Sequence, residues 1–235
     1  MDKTQDPILS IQNSLSILNL TYSYGDHQAL NQVEFNMEKG QIIGLLGPNG
    51  SGKTTLINLV LGLIKKQDGE IRLFNQKVNS KAVKKRMGVI PQQFSFYPAL
   101  TVYENVMFFA KLFQVPTTVI NQRFDEYSEI FKLKDKKHIS AESLSGGMKR
   151  RLMLLMSIIH DPDLVLMDEP TAGVDPVLRK EFWVFLQAFA KRGKSILITT
   201  HHISEANYCD EVIFIKEGKI LEKETPEREL LIVLQ

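Results

Sequence analysis

The sequence has a single cysteine, Cys209, so it can form no intramolecular disulfide and assemble no cysteine-based zinc site. That suits a reducing cytosol. Neither sign of charge dominates, because 29 Lys and Arg face 27 Asp and Glu. A chain that grips nucleic acid by neutralising phosphates carries a basic excess or stripe, so no nucleic acid is expected as a partner. Long hydrophobic runs are also missing. The most apolar stretches, 152–159 and 230–234, fall far short of the roughly 20 residues a membrane-spanning helix requires. Met1 to Ser14 has scattered charges and no apolar centre, unlike a secretory signal. There is no internal repeat and no low-complexity tract. Any work at a membrane is then expected from outside the bilayer.

What is present is a substantial apolar fraction, 43% of 235 residues, enough for a sizeable core. From Leu15 to Leu46 short runs of strand character are broken by turns at Gly25-Asp26 and Lys39-Gly40. Within Gln41 to Leu46, Ile42, Ile43, Leu45 and Leu46 form the near-continuous apolar run of a parallel strand covered on both faces. Leu56, Leu59, Val60 and Leu63 then shift to a helical period. Leu164 to Met167 and Ser195 to Thr199 predict two more buried strands. Val212 to Ile215 predicts a last one, returning through Glu217-Gly218 as a hairpin at Lys219 to Leu221. Strands alternating with helices imply a parallel sheet.

The middle of the chain differs, since 101–144 shows helical periodicity and no convincing strand. Val102, Val106, Phe109 and Phe113 mark one apolar face; Ile120, Phe124, Tyr127 and Phe131 mark another beyond Pro116. This predicts a helical insert in an α/β core. The charged run Lys81 to Arg86 reads as a solvated helix face.

Gly47-Pro48-Asn49-Gly50-Ser51-Gly52-Lys53-Thr54 fits G-x-x-x-x-G-K-[ST] and lies between a predicted strand and a predicted helix. Such a loop turns its backbone N–H groups and the positive end of the following helix toward phosphate oxygens. Lys53 then reaches the β- and γ-phosphates, and the Thr54 hydroxyl is placed to ligate Mg²⁺. The strand Leu164 to Met167 runs into Asp168 and Glu169, which brings two carboxylates to the carboxyl edge of the sheet beside that loop. Because neighbouring strand residues point to opposite sides, Asp168 is assigned to Mg²⁺ and Glu169 to the attacking water as general base.

Leu144-Ser145-Gly146-Gly147-Met148, upstream of those carboxylates, makes the resemblance specific: the chain resembles an ATP-binding-cassette (ABC) nucleotide-binding domain over nearly its whole length. Without the family, LSGG is a helix-capping turn. The resemblance implies a P-loop fold with a RecA-like parallel sheet, an N-terminal antiparallel β subdomain and an inserted helical subdomain. The expected division is a single domain over 1–235, with core at 15–92 and 160–235 and insert at 93–159. It implies that Ser145, Gly146 and Gly147 contact ATP held by another subunit. Tyr24 resembles the aromatic that stacks on adenine, with Tyr22 close enough to leave the choice open. Asn49 and Thr55 join the nucleotide-binding set. Gln92 resembles the glutamine that senses Mg²⁺ and water, Asp175 the aspartate that crosses the dimer interface, and His201 the histidine that bonds the γ-phosphate. Met148 stands where glutamine is commonest, and Gly173-Val174 where alanine-leucine is.

The implied function is ATP hydrolysis in a nucleotide-sandwich dimer, with a second copy or a homologous ATP-binding subunit as partner. Exposed apolar residues near Phe94, Phe96, Tyr97 and Leu100 are expected to receive a separate transmembrane permease subunit. The sequence around 94–106 most resembles exporter branches, which places the chain in the cytoplasm, peripheral on the inner face of the cell membrane. Soluble ABC machines acting on nucleic acid or ribosomes are the rival class; they usually carry two cassettes or a long coiled coil, and this sequence has one cassette and no sustained heptads.

Overall fold

The computed structural model describes residues 13–226, apart from 79, 172, 173 and 175 and the side chain of Val177. The apolar stretch 230–234 and the site residue Asp175 therefore lie outside the described residues. Two long strands, β1 (Asn13–Tyr24) and β2 (His27–Glu38), form a hairpin about Gly25-Asp26. Strand β3 (Ile42–Leu46) leads through the glycine loop into α1 (Lys53–Val60), and β4 (Asp68–Leu73) and β5 (Gln76–Lys77) follow. The short α2 (Lys81–Lys85) exposes its lysines and buries Val83, as the charged run predicted. Then come β6 (Met87–Ile90), α3 (Val102–Leu112), α4 (Thr117–Ile130), α5 (Gly146–Ile158), β7 (Leu164–Asp168), α6 (Pro176–Lys191), β8 (Ser195–Thr200), β9 (Glu211–Lys216) and β10 (Lys219–Glu224).

An antiparallel sheet has the order β2-β1-β4-β5, and a six-stranded sheet has the order β10-β9-β3-β8-β7-β6, parallel except for the β10 edge. Strand alternation gives the large sheet two apolar faces. Ile43, Leu45, Leu164, Leu166 and Leu197 pack with α1 and the antiparallel sheet. Ile42, Leu46, Val165, Met167, Ile196 and Ile198 pack with helices α3 to α6. The phosphate loop thus hangs on a strand clamped between two cores.

The helical middle is confirmed. Ile120, Phe124, Tyr127 and Phe131 are all buried, and Thr101 with Glu104 closes a capping box at the start of α3. Three differences from the sequence reading have physical causes. Leu63 lies beyond the end of α1 and is exposed, because the helix stops at Val60 and Gly62 turns the chain at φ 67°. Strands β4 and β5 are missing from the sequence reading because their apolar signal reduces to Ile71 and Leu73. Strand β6 has only four residues, too few for periodicity to register.

Candidate nucleotide site

Glycine at position 47 is forced by space, since a Cβ there would stand 2.1 Å from the carbonyl oxygen of Ile215. Gly52 caps α1 at φ 108°, a left-handed conformation that aims the helix N-terminus at the loop. Between them Pro48, Asn49 and Gly50 are exposed, and Thr54 and Thr55 sit in the first turn of α1. Lys53 is buried and donates from Nζ to the carbonyls of Gly47 at 2.7 Å and Pro48 at 3.0 Å, so its ammonium lies within the loop's own curve. Burial pulls that ammonium below its ordinary pKa, against the opposing pull of Glu169 and Asp168. Ser51 Oγ is buried in the same loop and has no hydrogen-bond partner. A buried hydroxyl without a partner beside a lysine and a helix N-terminus fits an anionic ligand.

Asp168 ends β7 fully surrounded, accepting from Thr54 Oγ1 at 2.9 Å and from Thr199 Oγ1 at 2.6 Å. Thr199 was not among the sequence candidates. Its signal was available only through register: β8 pairs with β7 so that Thr199 stands opposite Asp168. Thr54 and Asp168 together offer a pair of hard oxygen donors. No cluster of three or more His, Cys, Asp or Glu occurs among the described residues. A divalent ion held by so few protein oxygens draws its other ligands from phosphate and water, as Mg²⁺ does.

Glu169 diverges from Asp168 for a reason other than strand alternation. The strand ends at Asp168, and Glu169 takes a left-handed φ of 49°, held by its N–H donating to the Thr199 hydroxyl at 3.0 Å and carbonyl at 3.2 Å. A non-glycine residue held there stores strain, common where a side chain is aimed for chemistry. Its Oε1 lies 3.3 Å from His201 Nδ1, and His201 follows β8 with its ring 4.2 Å from that of His202. The carboxylate is 14% exposed and the imidazole 45%. Gln92 and Gln93 are exposed and share a cleft of about 660 Å³ with Thr54 and Asp168. Arg150, another residue the sequence reading did not single out, donates from α5 to the carbonyl of Pro91 at 3.1 Å, beside Gln92.

The structure therefore brings Lys53, Thr54, Asp168, Glu169, His201 and Gln92 to one end of the sheet. Tyr24 is half-exposed at the end of β1, whereas Tyr22, in edge contact with it at 4.9 Å, packs on the core; exposure favours Tyr24 as a stacking face. Ser145 is elsewhere in kind. It caps α5, accepting from the Met148 N–H at 3.3 Å, and Ser145 and Gly146 are exposed. No contact between Ser145 and the phosphate loop is found among the described residues.

The family model for "ABC transporter" matches residues 30–172. A probable multidrug ABC transporter ATP-binding protein of Escherichia coli (strain K12) is 36% identical over 88% of this chain, which spans 36% of that protein. A Nod factor export ATP-binding protein I of Ralstonia nicotianae (strain ATCC BAA-1114 / GMI1000) is 38% identical over 94% of this chain and 68% of that protein. Among solved structures, cbiO1 of Clostridium perfringens, described as part of an ABC transporter complex, superposes with a TM-score of 0.82 at 29% identity, covering 92% of this chain and 89% of that one. An ATP-binding cassette solved as a dimer in a post-hydrolysis state with ADP and Pi superposes at 0.81 with 26% identity, covering 90% of this chain and 98% of that one. The matched family model spans more than half of the sequence, a span that contains the glycine loop, the Ser145 segment and the paired carboxylates: the chain belongs to the ABC transporter family, with the fold of its ATP-binding ATPase subunits.

Proposed function

We propose that this chain hydrolyses ATP in a sandwich of two ATP-binding subunits and thereby drives export through a separate membrane subunit. The observation that carries the reading is the split between a phosphate loop complete with its acids and a Ser145 segment that is exposed and capped only on its own helix. In this reading Asn49, Gly50, Ser51, Gly52, Lys53, Thr54 and Thr55 embrace the phosphates, with Gly47 giving the loop its close turn and Tyr24 stacking on adenine. Thr54 and Asp168 would hold Mg²⁺, and Gln92, which shares their cleft, would join them. Mg²⁺ when bound neutralises charge on the phosphate oxygens. Glu169 orients and deprotonates the attacking water, while His201 and Lys53 stabilise charge on the γ-phosphate oxygens. Ser145, Gly146 and Gly147 of the other subunit complete the pocket, and Asp175 serves the same interface.

The membrane partner is proposed at the aromatic surface beside Gln92. Phe94 and Tyr97 are half-exposed, and Tyr97 makes an edge contact with the exposed Phe108 at 4.9 Å. No helix among the described residues is long and apolar enough to cross a membrane. A peripheral position on the cytoplasmic face of a membrane follows from that partner. The multidrug transporter name of one sequence relative and the export name of the other support transport over action on nucleic acid or ribosomes.

The decisive variant is Glu169→Gln. It is expected to bind ATP with Mg²⁺ as tightly as the parent while turnover falls by about 10² to 10³-fold, read by phosphate release beside a nucleotide-binding titration. Unchanged turnover would remove Glu169 from this role.

A further inference from the structure

Behind the site lies a buried carboxylate that none of the steps above uses. Glu205 is 1% exposed, in the 3₁₀ turn Ile203–Tyr208, four residues after His201. Its Oε1 accepts from Thr171 Oγ1 at 2.6 Å, and Thr171, itself 1% exposed, follows Glu169 by two residues. Arg179, from the first turns of α6, holds Nε 3.6 Å from the same carboxylate oxygen. Its Nη2 donates to the carbonyl of Val174 at 3.1 Å, and the Val174 N–H donates to the carbonyl of Thr171 at 3.0 Å. One carboxylate thus joins three stretches of chain: the one leaving Glu169, the turn at Val174 and the one leaving His201.

The arrangement is a poor stabiliser. A buried ion pair offsets its desolvation only when its geometry is good and its remaining lone pairs are bonded. Here Glu205 Oε2 and Arg179 Nε are both buried without a hydrogen-bond partner. An apolar side chain would serve cohesion as well or better. What an apolar side chain lacks is direction, because only a carboxylate fixes a hydroxyl and a guanidinium at set angles.

We propose that Glu205 is a positioning residue for hydrolysis: through Thr171 and Arg179 it fixes the chain around Glu169 relative to His201. The proposal rests on the reading of Glu169 and His201 as the hydrolytic pair. Thr171 and Arg179 act with it. None of the three is in the set that holds the nucleotide, so their loss falls on the catalytic step and leaves binding nearly intact.

The experiment compares Thr171→Val, Thr171→Ser, Glu205→Gln and Arg179→Lys with the parent chain, measuring kcat and KM for Mg-ATP per folded molecule and the thermal midpoint. Thr171→Val, Glu205→Gln and Arg179→Lys are each expected to lower kcat by about tenfold or more while KM stays within about twofold, since small misplacement of a reacting group is expensive. Thr171→Ser keeps the hydroxyl and retains the parent kcat. Parent kcat in both Thr171→Val and Glu205→Gln, with only the thermal midpoint lowered, would overturn the proposal and leave the pair Glu169 and His201 in place. A fall in kcat/KM carried entirely by KM would overturn it too. If Glu205→Gln does not fold, Thr171→Val and Arg179→Lys decide the matter, each removing one bond. Full turnover in Glu169→Gln, or none in the parent, would instead overturn the reading beneath the proposal and the proposal with it.

Discussion

The phosphate loop and the Ser145 segment both present a helix N-terminus, yet they are finished to different degrees. Around the loop, Lys53 is curled against two carbonyls, Asp168 is bonded by two threonines, and Gly47 and Gly52 leave no room for a Cβ. At Ser145 the side chain's only hydrogen bond among the described residues is its own cap, and added Cβ atoms at Gly146 and Gly147 would meet nothing within 4 Å. Glycine is demanded by the fold in the first case and not in the second. In the proposed sandwich that open space receives the nucleotide held by the other chain. Two half-sites of unequal finish are what a sandwich of two chains needs, each giving its finished half to one nucleotide and its open half to the other.

The comparison breaks most sharply at Lys53. Replacing it by alanine removes the charge inside the loop, and both ATP binding and turnover should fall, turnover by about 10³-fold. A titration with ATP and a phosphate-release assay would show both. Ser145→Arg attacks the open half alone. Its bulk and charge are accommodated by the free chain, so fold and ATP binding should be unchanged while turnover drops by about 10²-fold. Loss of ATP binding in this variant would contradict the division of labour.

A smaller, pH-dependent effect sharpens the contrast from behind. His160, just past the end of α5, stacks on Phe113 at 3.7 Å and bonds the Met87 carbonyl through Nε2 at 2.9 Å. Burial lowers its pKa from 6.5 to about 4. The unfolded chain therefore takes up this proton more readily than the folded one. The support His160 gives is full above pH 6.5 and is lost as pH falls toward about 4, on the order of 3 kcal/mol in all. Urea unfolding at pH 7.5 and pH 5 should show the decline, and His160→Gln should flatten it.

How far the sequence carried differs by region for physical reasons. The glycine loop was legible because its spacing, its preceding apolar strand and its following helix are local. The two apolar faces of α3 and α4 were legible by period, and Phe124 and Ile120 are indeed fully buried. What stayed hidden is made by pairing across the chain. Thr199 meets Asp168 only once β7 and β8 are in register, and Thr171 meets Glu205 across 34 residues. The divergence of Asp168 and Glu169 was anticipated with the wrong cause, since a left-handed residue and not strand alternation produces it. Strand β6 gave too few residues to read, although it carries the chain to Gln92.

The most direct measurement is turnover per chain across a dilution series with Mg²⁺ and saturating ATP, with mass followed by light scattering. Completion of each pocket by a second copy predicts that turnover per chain rises with concentration, in step with a shift from one chain of 26.8 kDa toward twice that mass. Constant, full turnover at dilutions where every molecule has the mass of a single chain would contradict it.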